Sequence, residues 1–92
     1  MSEQALRARV AARVEAVLER HAFRGTGGAG QRLALERDVA SALAPLVRGG
    51  HATRVDVRCD DDTCEGSPAP VVEVVLSLPR RVERVVLRFT AG

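Results

Sequence analysis

VVEVVLSL (71–78), PRR (79–81) and VERVVLRF (82–89) decide the fold of this 92-residue chain. In the first run, Val72, Val74, Leu76 and Leu78 fall on one side, and Val71, Glu73, Val75 and Ser77 on the other. This is the two-residue period of a strand. Pro79-Arg80-Arg81 supplies a short turn, after which the period resumes. Val85, Leu87 and Phe89 then oppose Val82, Arg84, Val86 and Arg88. Upstream, the segment from Thr53 to Cys59 alternates in the same way, with Val55, Val57 and Cys59 against Arg54, Asp56 and Arg58. Hairpin-length connections between the three runs predict a small, mainly antiparallel, three-stranded sheet with one wet face.

The N-terminal half has the other period. Leu6, Val10, Val14, Val17, Leu18 and His21 recur at spacings of three and four. They form the apolar stripe of a helix expected to run to about residue 22, capped by Ser2 with Glu3 at its positive end. His21 reads as a helix-terminal residue and Phe23 as an anchor for the helix exit. A second helix is expected over 31–47, with Leu35, Val39, Leu43, Leu46 and Val47 buried and Leu33 near its start. Glu36, Arg37 and Asp38 are expected to face solvent. Pro45 should loosen the last turn, and Gly49-Gly50 should end it. The predicted architecture is a single α+β domain over 1–92, with two amphipathic helices on the sheet.

Composition narrows the function. Hydrophobic residues make up 46% of the chain, enough for a core rather than disorder. All fourteen basic residues are Arg, spread along the chain, and the net charge is +2. A nucleic-acid surface usually needs a concentrated basic face with aromatic platforms, and only two Phe are present, so nucleic acid is not an expected partner. No apolar run nears the roughly 20 residues that span a bilayer, so no membrane is expected either. The charged start does not read as a signal peptide, and the expectation is a cytoplasmic protein with reduced thiols.

The candidate chemical motifs are weak. GTGGAG (25–30) follows a helix and ends in Gln31-Arg32, whereas a phosphate-cradling loop follows a strand and ends in Gly-Lys-Ser/Thr; it reads as a linker. Cys59 and Cys64 flank an acidic turn, but His21 and His51 lack the paired spacing of a zinc site. A Cys59–Cys64 disulfide closes a feasible small loop that a reducing setting disfavours. Asp60, Asp61, Asp62 and Glu65 lack the alternation of a calcium loop. No Ser, Cys or Thr sits in a nucleophile motif with a His. The expectation is no catalytic residue, no metal and no cofactor.

What remains is the sheet. Three strands cannot close on themselves, so edges stay open. The last run is apolar on both sides, which suits either a central strand buried on both faces or one completed by another chain.

The order of these residues resembles the C-terminal domain of contractile tail sheath proteins of phages and related injection systems. The residues that carry the resemblance are Val57-Arg-Cys-Asp-Asp-Asp-Thr63, Gly66, the valine strand, Pro79, Glu83 and Val85-Val86-Leu87-Arg88. The resemblance implies a structural protein of the tube-proximal sheath layer, built into a phage-like particle by strands exchanged between subunits. It makes Val82 to Phe89 the exchanging strand and Val71 to Leu78 its acceptor. The interface would draw on Val82, Arg84, Val85, Val86, Leu87, Arg88, Phe89, Val71, Glu73 and Val75. Partners would be further copies of the chain, or tube, sheath or baseplate proteins. Sheath proteins are several times longer, and the Glu-Pro-Arg of a related baseplate protein is replaced here by Leu46-Val-Arg-Gly-Gly50. The rival expectation is an arginine-rich module in which Arg54, Arg58, Arg80, Arg81, Arg84 and Arg88 hold an acidic protein or nucleic acid.

Overall fold

The computed structural model describes residues 2–21, 29–60 and 71–90. Two helices, α1 (Glu3–Arg20) and α2 (Ala29–Arg48), precede three strands: β1 (Arg54–Arg58), β2 (Val71–Ser77) and β3 (Arg84–Thr90). The strands form one antiparallel sheet in the order β1-β2-β3. The helices cover one face, α2 over β1 and α1 over β3. The chain is therefore the α+β arrangement that its two periodicities predict.

α1 starts where Ser2 caps it. Ser2 Oγ accepts from the Ala5 N–H at 3.1 Å, and its carbonyl accepts from Leu6 at 2.9 Å. That satisfies donors that every helix start leaves open. Leu6, Val10, Val14 and Val17 are its buried stripe. His21 caps the other end through its N–H, and its Nε2 lies 2.7 Å from Asp38 Oδ2, fastening α1 to α2.

α2 runs unbroken through Pro45 to Arg48. It ends in a Schellman motif: the His51 N–H donates to the Leu46 carbonyl (2.9 Å) and the Gly50 N–H to that of Val47 (3.1 Å). The motif needs a left-handed residue at Gly50, whose φ is 79°. Leu35, Val39, Leu43 and Leu46 are fully buried, but Val47 is 39% exposed, against expectation. Each residue advances about 100° around a helix, so Val47 falls on the flank of the stripe that Leu46 centres.

Glu36 also departs from the solvent-facing reading. Its Oε2 accepts from the Cys59 backbone N–H at 3.2 Å, so α2 caps the end of β1. Cys59 itself is buried. Its candidate disulfide partner, Cys64, lies outside the described residues, as do Phe23, most of the glycine-rich linker, and Asp61, Asp62 and Glu65.

The core is centred under β2. Val72, Val74 and Leu76 have no exposed surface; of the inward residues of the flanking strands, Val85 is buried, whereas Val55, Val57, Leu87 and Phe89 are only partly buried.

A Cβ at Gly50 meets nothing within 4 Å, so a substitution there tests backbone conformation alone. We predict that Gly50→Ala lowers unfolding free energy by about 1–2 kcal/mol, the cost of a left-handed L-residue. Urea denaturation with an unchanged slope would register it.

Candidate functional site: the open face of the sheet and its two edges

The strand register fixes what lies on the face that neither described helix covers. Arg54, Ser77 and Arg84 form one row across the sheet, and Asp56, Val75 and Val86 the next. Arg58, Glu73 and Arg88 form the third, and Val71 pairs with Thr90 beyond it. Arginines thus stand at four corners around the Val75–Val86 pair.

Most of that positive charge is already matched. Arg54 Nε lies 3.0 Å from Asp56 Oδ2, and Arg58 Nη2 lies 3.0 Å from Asp60 Oδ2. Arg88 donates from Nε (3.0 Å) and Nη2 (2.8 Å) to the same Glu73 oxygen. Off the face, Arg81 Nη1 donates to Glu3 Oε1, tying the β2–β3 turn to the start of α1. Four of the six arginines of the acidic-partner reading therefore already hold carboxylates of their own chain.

The two edges differ. β1 has five residues, and every outward one is charged: Arg54, Asp56 and Arg58. Both of its arginines are held by a carboxylate two residues along, and Glu36 takes the N–H just past its end. Short length, charge and a cover are the usual devices that blunt an edge. β3 has seven residues, no Pro, and a β-branched Val86 that is 51% exposed on the outward face. Its inward Leu87 and Phe89 are incompletely covered.

This placement decides between two readings of the last run and corrects two expectations. β3 is the edge strand of the two possibilities that its two-sided apolar pattern left open. Val82 precedes the strand and is 100% exposed, so it takes no part in β3 pairing. β2 is bonded on both sides, so its backbone offers no edge to another chain; Val71, Glu73 and Val75 instead line the open face. The remaining residues expected at an interface, Arg84, Val85, Val86, Leu87, Arg88 and Phe89, all lie on the exposed edge strand. Two contacts had no local signal. Glu36–Cys59 and His21–Asp38 join residues 23 and 17 positions apart, which no periodicity brings together.

A cleft of about 290 Å³ lies at the opposite end of α1, lined by Ser2, Glu3, Leu6, His51, Leu78 and Arg81. Ser2 is committed there as a helix cap, and Glu3 and Arg81 to each other. Among the described residues, no three His, Cys, Asp or Glu side chains are grouped to hold a metal ion. No described helix is long and apolar enough to cross a membrane.

Comparison with family models, curated proteins and solved structures returned no match. The functional reading rests on the geometry.

The turn that leads into β3 carries its own strain. The Arg81 N–H donates to the Leu78 carbonyl (3.4 Å) around Pro79 and Arg80, and Arg80 has φ 63°. Proline followed by a left-handed residue is the pattern of a type II turn, which favours Gly in Arg80's place. We predict that Arg80→Gly raises stability by up to about 1 kcal/mol, the left-handed penalty less the entropy Gly adds to the unfolded chain. Thermal melts of the two proteins side by side would show the gain.

Proposed function

We propose that this protein is a non-enzymatic assembly module that joins subunits by strand pairing at the β3 edge. The observation that supports it most is the contrast between the edges. β1 carries the devices that prevent pairing, whereas β3 leaves seven residues with an exposed Val86, beside partly buried Leu87 and Phe89. Strand addition would satisfy the outer backbone groups of β3 and bury those side chains. A 92-residue domain hides only about 60–65% of its unfolded surface, so added burial between chains is a substantial stabilising term.

The sheath resemblance would place this assembly in a contractile phage-like particle, next to tube, sheath or baseplate proteins. The contrast between β1 and β3 holds whatever the particle. The rival reading, an arginine surface for an acidic partner, is weakened by the ion pairs that occupy Arg54, Arg58, Arg81 and Arg88.

Light scattering on size-exclusion fractions over a range of concentrations tests the proposal. The expected result is an oligomer for the natural chain. Val86→Lys should weaken association about tenfold or more by charging the edge. Its effect on monomer stability should stay within about 0.5 kcal/mol, as is usual for a surface position. A natural chain that stays monomeric at its highest attainable concentration would overturn the proposal. Duplex binding at low salt that vanishes on salt addition would favour the arginine reading instead.

A further inference from the structure

We infer that the partner of β3 is β3 of a second copy, paired antiparallel about a two-fold axis at Leu87. The inference rests on the assembly reading and adds to it the partner, the symmetry and the register. It comes from matching the strand against itself.

β3 spans Arg84–Thr90, so its midpoint is Leu87. An axis there, normal to the sheet, overlaps the whole strand with its copy. Inward side chains stay inward: Leu87 meets the partner's Leu87, and Val85 meets the partner's Phe89. These are the side chains that the helices leave incompletely covered at this edge, apart from Val85, which is already buried. On the open face, Arg84 meets the partner's Thr90 and Val86 meets the partner's Arg88. No arginine faces an arginine.

Every neighbouring register is worse. An axis at Val86 sets Arg84 opposite the partner's Arg88 twice, and one at Arg88 sets Arg88 opposite itself. Like charges directly opposite each other destabilise a strand pair, because facing Cβ atoms lie only about 4.5–5.5 Å apart. An axis at Val85 leaves Phe89 and Thr90 outside the overlap and draws in Val82 and Glu83, which lie before the strand. An axis between two residues sets inward side chains against outward ones, since the side-chain period is two. Charge, length and facing select the same register. The product is a six-stranded sheet with both helical layers on one side, and the isologous contact of a two-fold dimer.

Cysteine cross-linking along β3, in a Cys64→Ser background, reads the register directly. Cys59 can remain, because it is buried. Among chains carrying one added cysteine, Leu87→Cys should cross-link to itself in the highest yield. Val86→Cys mixed with Arg88→Cys should give a mixed dimer several-fold above either chain alone; both sites are exposed, so this pair survives if Leu87→Cys folds poorly. Highest self-cross-linking at Val86 or Val85 would overturn the register. An oligomer by light scattering with no β3 cross-link would overturn this inference and leave the assembly reading standing. A monomer throughout would overturn both.

Discussion

The structure depends on burying the inner face of β2. Val72, Val74 and Leu76 lose all contact with water, and the helices supply Val10, Val14 and Val17 from one side and Leu35, Val39 and Leu43 from the other to meet them. At roughly 25 cal/mol per Å² of apolar surface, such a row dominates what stabilises so small a domain. The ladders to β1 and β3 then satisfy the backbone of β2, which could not otherwise be taken from water. The remaining contacts sit around this layer: the Schellman end of α2, the Ser2 cap, His21–Asp38 and Glu36–Cys59 each fix an element end against it.

From that centre outward the cover thins on both sides. Over β1, α2 contributes a hydrogen bond as well as apolar packing, and Val55 and Val57 stay partly buried. Over β3, Val85 is buried and Leu87 and Phe89 are partly buried. The two edges differ in what they carry outward: β1 is short and charged at every outward position, and β3 is longer and exposes Val86.

The two periods were legible at once, and so was the facing of every strand residue. Val72, Val74 and Leu76 lie inward and Glu73 and Val75 outward, as alternation requires. Strand order was not legible. VVLRF is apolar on both sides, and such a run fits a central strand as well as an edge; only the register with β2 separates them. Glu36 and Val47 share a difficulty of another kind. Both lie on the flank of the α2 stripe, where periodicity cannot say whether a neighbour is present. Glu36 finds the end of β1 and Val47 finds solvent. The edge residues of the candidate site were visible as a two-sided apolar strand, but the blunting of β1 depends on carboxylate partners that had to be seen in place.

The guarded state of β1 also bears on growth. A sheet with two receptive edges can add copies without end, which is how fibres form. In the proposed pairing each chain would spend its β3 edge on the other, and the guarded β1 strands would form both outer edges. Arg54–Asp56, Arg58–Asp60 and Glu36 would then end the sheet at six strands.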